Sequence, residues 1–251
     1  MKKNLLWVAG VAILMASCNN ESENIVPVKP EGRVAMTVNT NVLKSRAMIT
    51  GTSLADGDEI GVTLVEMPES GQAHGATYDG LGVDDGYWNV KYYATGDGEE
   101  QTWTSDTPIM LSSTLGQAVA YYPYAGTQND YKALEITSEG QTDYLYSGWE
   151  DADGINNAAP TTTFVMKHAL SAVRLTLKRG SYSYTGEVTA ASISSEGFGV
   201  EGSLDASTGE ITGVTGNAAV TTAMNNDFTA LTIPTLTTES VNTLLMVVPV
   251  Q

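Results

Sequence analysis

The stretch TTFVMKHALSAVRLTLKR, residues 162–179, indicates the fold class of this 251-residue chain. In its second half Val173, Leu175 and Leu177 alternate with polar residues. Successive side chains of a β-strand point to opposite faces of a sheet, so this period-two pattern is typical of a strand with one buried face. The stretch therefore predicts β-structure rather than a helix.

Short apolar runs of the same kind recur on both sides of this stretch. They are EIGVTLVE (59–66), YWNVKYYA (87–94), PIMLSS (108–113), AVAYYPY (118–124) and NTLLMVVPV (242–250). Segments such as LADGDE (54–59) and ASTGEITG (206–213) lie between runs and favour turns. Many short strands separated by frequent turns predict an all-β fold, an antiparallel β-sandwich.

One further strand is predicted near the beginning of the chain, in RVAMTVNTNV (33–42). Val34, Met36 and Val38 fall on one face of this strand and polar or small residues on the other. The strand precedes Arg46, so a cut at that residue would separate it from the rest of the chain.

The first residues predict export. Lys2 and Lys3 precede an apolar run, Leu5–Met15, that is too short to span a bilayer, which indicates a signal peptide over residues 1–17. Cys18 is the only cysteine, and its position after Met-Ala-Ser fits a bacterial lipoprotein cleavage box. The predicted product carries lipid, palmitate included, on Cys18. An ordinary signal peptide followed by an unrelated cysteine is the alternative.

The residues after Cys18 are polar and acidic, which predicts a flexible tether over residues 19–24. Asn19 favours release to the outer membrane, where three acyl chains make a long-lived anchor. With its one cysteine lipidated, the mature chain has no disulfide and depends on core burial for stability.

The charge balance excludes some partners. The chain has 12 basic and 29 acidic residues. Beyond Arg46 there are six basic and 26 acidic residues, a formal charge of −20. Such a body repels nucleic acid and anionic lipid, so neither is predicted to bind it. Charged residues are nevertheless only 16% of the chain, and about 200 residues can bury a sizeable core.

Few residues could carry chemistry. The chain has two histidines and lacks the HExxH, P-loop and Gly-x-Ser-x-Gly motifs, so neither an enzyme nor a cofactor is predicted. His74, in GQAHGA, is predicted to lie in a solvated loop. His168 lies between apolar residues and is predicted to be a strand-end or core histidine with a backbone partner. Two distant histidines do not supply a zinc site.

Two other kinds of binding site are weighed against ordinary structure. GWEDADGINN (148–157) and LADGDE (54–59) contain oxygen ligands of the kind calcium uses, but turns are favoured and no metal site is predicted. The aromatic runs YWNVKYY and AYYPY are interpreted as packing residues. A sugar-binding platform that includes Trp88 or Trp103 remains an alternative.

The segment LKSRAMIT (43–50) contains a candidate processing site. Lys44 and Arg46 are the only basic residues between Arg33 and Lys91, and small residues flank Arg46. The hypothesis is cleavage between Arg46 and Ala47. A solvated loop arginine is the alternative.

Several motifs together resemble the fimbrillin family, the type V pilins and related fimbrial lipoproteins of Bacteroidales. They are the lipobox at Cys18, SRAMITG (45–51), DGDEIGVTLVE (56–66), AVAYYPY (118–124), QTDYLYSG (141–148), TTTFVMKHALSAVRLTL (161–177) and LLMVVP (244–249). The resemblance covers almost the whole chain. Its most specific feature is the order of the Tyr-Tyr-Pro-Tyr, Gln-x-Asp-x-Leu-Tyr and Phe-x-x-x-His-Ala-Leu-Ser segments.

The resemblance implies a fold and an assembly mechanism. Family members are exported as lipoproteins and form transthyretin-like β-sandwich domains. An Arg-specific protease removes the lipidated segment with its first strand, and the groove accepts a strand from another subunit. Carried over, Cys18 is the lipidation site, Arg46–Ala47 the scissile bond and 33–42 the removable strand. Val34, Met36 and Val38 are its core contacts.

The implied organisation is a signal peptide (1–17), a lipidated tether with the removable strand (18–46) and a β-sandwich domain (47–251). A further C-terminal domain is usual in the family and is expected to be missing here, as in a fragment or a shortened member. The predicted partners are other fimbrial subunits, an Arg-specific protease and, through Cys18, the outer membrane. The predicted location is the cell surface, in a fimbrium. The alternatives are an uncut anchor or tip protein and a glycan-binding surface lipoprotein.

Overall fold

The all-β prediction is confirmed. The computed structural model describes residues 32–43, 54–80, 87–96, 98, 101–128, 130–138, 142–177, 187–188, 190–193, 198–215, 220–223, 231–232 and 241–249. These residues form β-strands joined by turns and bends, and no α-helix occurs among them. Within the same ranges, no helical segment has the length and apolarity needed to cross a bilayer.

The strands are numbered in chain order. They are β1 (Val34–Ala35), β2 (Thr37–Val42), β3 (Glu59–Glu66), β4 (Val90–Thr95), β5 (Thr102–Thr104), β6 (Met110–Leu111), β7 (Gly116–Tyr122), β8 (Leu134–Thr137), β9 (Leu145–Tyr146), β10 (Glu150–Ile155), β11 (Thr161–His168), β12 (Ser171–Leu177), β13 (Glu187–Val188), β14 (Ala190–Ile193), β15 (Phe198–Gly199), β16 (Glu201–Leu204), β17 (Ile211–Thr215), β18 (Val220–Ala223), β19 (Leu231–Thr232) and β20 (Val241–Pro249).

The largest sheet has eight strands in the order β2-β11-β9-β7-β3-β4-β5, with β10 pairing β7 beside β9. Three-stranded sheets β12-β20-β15 and β17-β16-β8 and the pairs β1-β6, β13-β19 and β14-β18 complete the described pairing. The pairs are antiparallel apart from β2 with β11, which is parallel. The predicted antiparallel sandwich thus holds for most of the molecule but not for its leading strand.

Strand β7 lies between two apolar cores. Ala118 and Ala120 contribute to the first core, which includes Ile60 of β3 and Phe164 of β11. The alternate residue Val119 faces the second core with residues of β8, β16 and β17. Because β7 is buried on both faces, its sequence reads as a continuous apolar run rather than an alternating one. The sheets packed on the two faces of β7 form the predicted sandwich.

A glycine in β3 makes room for an aromatic ring on the neighbouring strand β7 of the same sheet. A Cβ atom at Gly61 would overlap the ring of Tyr121, whose hydroxyl donates a hydrogen bond to Asn89 Oδ1 at 2.7 Å. The ring occupies the space that any other side chain would need, so the position requires glycine.

One local prediction, for residues 148–157, was wrong, and another, for the side chains of β12, falls outside the described residues. The segment 148–157 was expected to be a turn, but most of it is strand β10, and the reversal follows at Asn156 and Ala159. The prediction was wrong because pairing with β7, distant in sequence, outweighs the local turn preference of Asp and Gly. The backbone of β12 is described, but the side chains of Val173, Leu175 and Leu177, whose facing was predicted, lie outside the description.

Candidate functional site

The leading segment, residues 32–43, lies inside the fold. Met36, Val38 and Val42 are 4%, 2% and 9% exposed, and all three belong to the first core. Val34 is half-buried, whereas Thr37, Asn39 and other alternate residues are exposed. The alternation expected of a strand with one buried face is therefore present along the whole segment.

The backbone of the segment pairs with two different strands. Val34 and Ala35 of β1 pair antiparallel with β6. The chain then changes partner, and the six residues of β2 pair parallel with β11 from Thr37–Thr161 to Val42–Met166. At the change, the Met36 amide donates to the Ile109 carbonyl at 2.8 Å. The segment thus joins two sheets and contributes side chains to the first core between its two pairings.

Polar contacts hold the start of the segment. Arg33 Nη2 forms an ion pair with Asp79 Oδ2 at 2.7 Å, and its Nη1 donates to the Tyr87 hydroxyl at 2.6 Å. Asn157 Nδ2 donates to the Gly32 carbonyl at 2.7 Å. These partners come from three separate loops or strand ends, so they fix where the segment enters the fold.

A histidine holds the other end. His168 is the last residue of β11, and its Nε2 lies 3.0 Å from the Leu43 carbonyl, while Nδ1 lies 2.9 Å from each carboxylate oxygen of Asp143. The hydrogen bond to Asp143 raises the pKa of His168, although burial acts in the opposite direction. The prediction of a strand-end histidine with a backbone partner is confirmed. The backbone partner belongs to the leading segment.

The side of β2 away from β11 faces β5, the opposite edge strand of the same sheet. Trp103 Nε1 of β5 donates to Thr40 Oγ1 at 3.2 Å. Gln101 Oε1 accepts from the same hydroxyl at 3.4 Å, and Gln101 Nε2 donates to the Leu54 carbonyl at 2.5 Å. The sheet therefore curls until its two edges meet, and side-chain contacts close it where no backbone ladder does.

The predicted processing residues lie outside the described part of the chain. Cys18, Arg46 and Ala47 fall in the ranges that the structure does not describe. The described chain stops at Leu43, which is 48% exposed, and resumes at the buried Leu54. The three predicted core contacts Val34, Met36 and Val38 are described, at the positions given above.

Sequence reasoning missed two residues of this site. Val42 extends the period-two pattern of Met36 and Val38 by two steps, so counting further along the strand would have found it. Thr40 lies between Val38 and Val42 in the same pattern. Its partner Trp103 is 63 residues away, and no local sequence pattern indicates that contact.

The described residues contain no group of three or more histidine, cysteine or acidic side chains able to hold a metal ion. In the turn 54–59 the carboxylates accept hydrogen bonds instead. Asp58 Oδ2 accepts from the Ala55 amide at 2.7 Å, and Asp56 Oδ1 accepts from the Gly96 amide at 2.8 Å. These bonds shape the turn.

The aromatic runs pack rather than form a platform. Tyr87, Tyr92 and Tyr121 are buried, and Trp103 is 8% exposed. Trp88 is half-buried and packs edge-on against Tyr131 with ring centroids 5.3 Å apart. The residues proposed for sugar stacking therefore have neighbours within the protein.

The prediction that His74 lies in a loop is correct, but its side chain is half-buried rather than fully solvated. Its ring stacks on Trp149 at 3.7 Å between centroids and 10° between planes, and Nε2 lies 2.6 Å from Gln117 Oε1. The glycine-rich sequence around His74 indicates a loop, but it cannot show that a distant tryptophan covers the ring.

These features define an all-β protein whose core includes the leading segment. The chain belongs to the fimbrillin-like family, whose model matches residues 45–249. It is therefore a structural rather than an enzymatic protein, and the family supports a role as a fimbrial subunit at the cell surface that assembles with other subunits.

Solved structures agree with the fold. A candidate cell adhesion protein of Bacteroides uniformis superposes with a TM-score of 0.53 at 21% identity, over 88% of this chain and 76% of that one. Another, from Bacteroides ovatus, gives a TM-score of 0.53 at 19% identity, over 85% and 78%. At these identities the likeness concerns the fold. No curated protein matches the sequence.

Proposed function

We propose that this chain is a fimbrial subunit that polymerises by strand exchange after cleavage between Arg46 and Ala47. The leading segment Val34–Val42 is then lost, and a strand of a neighbouring subunit takes its place. Before the cut, lipid on Cys18 anchors the exported precursor in the outer membrane. The polymer supports adhesion.

The observation that carries this proposal is the burial of a leading segment whose described end lies just before Arg46. Met36, Val38 and Val42 fill the first core, and each such side chain is worth about 1.5–3 kcal/mol of burial. Removing them would expose that core to water. An apolar strand that enters the same space would recover this free energy. The emptied core would therefore be a strong binding site for such a strand.

Backbone pairing adds direction to the binding. Loss of β2 would leave the outer edge of β11, from Thr161 to Met166, without its ladder partner. An open sheet edge with apolar pockets beside it is a template for strand addition. Because the incoming strand belongs to another copy, the contact is head-to-tail and does not close on itself, so it produces a fibre.

The extent of the family match supports the proposed position of the cut. The family match begins at residue 45, one residue before Arg46, and continues to residue 249. The leading segment thus lies outside the shared region, although its side chains complete the core of that region. This arrangement is the one expected of a removable segment.

The test is Arg46→Ala in cells that assemble the fimbria. We expect the variant to be lipidated, folded and present at the surface, but absent from filaments, because the segment stays in place. Lys44→Ala is the matched control, since it removes the neighbouring positive charge and leaves the arginine; it should be processed and assembled normally. Surface protein is examined by N-terminal sequencing and electron microscopy.

Two results would contradict the proposal. Filaments of Arg46→Ala at wild-type levels would show that the cut is unnecessary. Wild-type surface protein that retains a lipidated Cys18 would instead identify an uncut anchor or tip protein.

A further inference from the structure

The surface of the first core that the leading segment covers, called the groove below, is not uniformly apolar. Four residues of the leading segment face inward: Met36, just before β2, and Val38, Thr40 and Val42 within it. The third of these is polar. The apolar members are buried, while Thr40 is half-buried and lies against the edge strand β5. An all-apolar strand would satisfy the hydrophobic core equally well, so the threonine calls for a separate explanation.

The explanation lies in the groups that surround Thr40. Trp103 is 8% exposed, and its indole N–H donates to the threonine hydroxyl at 3.2 Å. The same hydroxyl donates to Gln101 Oε1 at 3.4 Å. One hydroxyl therefore serves as acceptor and donor between two side chains that remain with the domain after a cut at Arg46. We call the position occupied by Thr40, between Trp103 and Gln101, the polar notch.

We propose that the polar notch selects the strand that enters the groove. The selected strand, from a sister subunit, carries apolar side chains at the Met36, Val38 and Val42 positions and serine or threonine at the Thr40 position. This inference rests on the proposed function and adds to it the chemistry of the partner strand.

The selectivity follows from the cost of an unmade hydrogen bond. An incoming valine has the shape of threonine but offers no acceptor, so the indole N–H of the buried Trp103 loses its hydrogen-bond partner. A buried donor without an acceptor is penalised more than a neutral hydrogen bond is rewarded. The notch thus acts against wholly apolar strands, which would otherwise bind an apolar groove without distinction.

The experiment measures strand exchange in the cut protein. The detergent-solubilised full chain is cleaved after Arg46 and incubated with labelled synthetic strands of residues 33–43. Entry is followed by fluorescence anisotropy and by mass spectrometry of the displaced segment. The strand with the native sequence should enter, and a Thr40→Ser strand should compete comparably. A Thr40→Val strand should compete about tenfold less well.

A Thr37→Val strand is the matched control, because it makes the same chemical change at an exposed position on the opposite face of β2. It should compete like the native strand. In the Trp103→Phe protein, where the indole N–H is absent and only Gln101 still bonds the hydroxyl, the preference for threonine over valine should be much smaller. The same cycle of Thr40→Val and Trp103→Phe in the uncut chain should be non-additive in urea unfolding.

The outcomes separate the two proposals. If the native strand never replaces the resident segment, strand exchange fails and the selection of strands fails with it. If the native strand enters but the valine strand competes equally, the groove stands and the notch is refuted. A threonine preference that is undiminished in Trp103→Phe would also refute it, as would additivity in the uncut chain.

Discussion

A polar side chain holds each end of the leading segment, Arg33 at its start and His168 at its end. The ion pairs that these two side chains form differ in strength. Arg33 and Asp79 keep 37% and 33% of their side chains exposed, and exposed ion pairs typically contribute about 0–1 kcal/mol. The side chain of His168 is only 11% exposed, and that of Asp143 28%. Solvent screens the second pair less, so the pair of His168 and Asp143 is expected to be the stronger of the two ion pairs.

The pair of His168 and Asp143 predicts that the stability of the uncut chain depends on pH. Unfolded histidine has a pKa of about 6.5, and the hydrogen bond to Asp143 raises the pKa of His168 in the folded chain. The stabilisation is therefore fully present below the unfolded value and is lost as the pH rises through the raised folded value. We expect the free energy of unfolding of the uncut chain to fall across this window.

The measurement compares wild type with His168→Gln by urea unfolding at about pH 5.5 and about pH 8.5, on either side of the ordinary histidine pKa. The glutamine amide can still donate to the Leu43 carbonyl but carries no titrating proton. Other groups titrate alike in both proteins, so the difference between their slopes isolates His168. Equal slopes would show that the contact with Asp143 does not depend on charge.

Strand β2 is the element on which the proposed assembly depends. Its inward residues belong to the first core, its backbone pairs with β11 and its far side meets β5. If the strand truly completes the core, changes on its two faces must have unequal effects. A strand lying loosely on the surface would show no such contrast.

The expected contrast is large. Met36→Ala should lower the free energy of unfolding of the uncut chain by about 2–5 kcal/mol, because it removes buried volume that the neighbours cannot refill. Asn39→Ala, at an exposed position of the same leading segment, should change it by about 0.5 kcal/mol or less. Urea denaturation of both variants measures the effect. Similar small changes for the two would mean that the segment contributes little to the core.

At the scale of the whole molecule, charge opposes assembly. The part beyond Arg46 has six basic and 26 acidic residues, so under the proposed cut the residues that remain would carry a formal charge of −20. A head-to-tail contact brings two such bodies together. Their repulsion acts over about 10 Å at 0.1 M salt and is screened at higher ionic strength.

We therefore expect the cut chain to assemble faster when sodium chloride is raised through the range near 0.1 M, where screening reaches about 10 Å. Light scattering follows the rate. Uncut Arg46→Ala protein, measured in parallel, should show no assembly at either salt concentration, which separates strand exchange from salt-induced precipitation. A rate that is unchanged by salt would show that charge does not limit the encounter of subunits.

Much of this protein was determined by the sequence alone. Period-two alternation, turn residues and the absence of helical periodicity predicted the all-β class, because these are properties of the local backbone. The same alternation at Val34, Met36 and Val38 indicated a leading strand with one apolar face. The motifs predicted the fimbrillin family, and the match to the fimbrillin-like family model confirms it.

The tertiary structure alone decided which strand lies beside which. Strand β2 pairs parallel with β11, more than 100 residues later in the chain, and its free side meets Trp103 of β5. His168 reaches back to Leu43, and His74 lies on Trp149. Alternation assigns each side chain to a face of its sheet, but the partner across that face is chosen by the packing of the whole chain, to which distant residues contribute as much as neighbours.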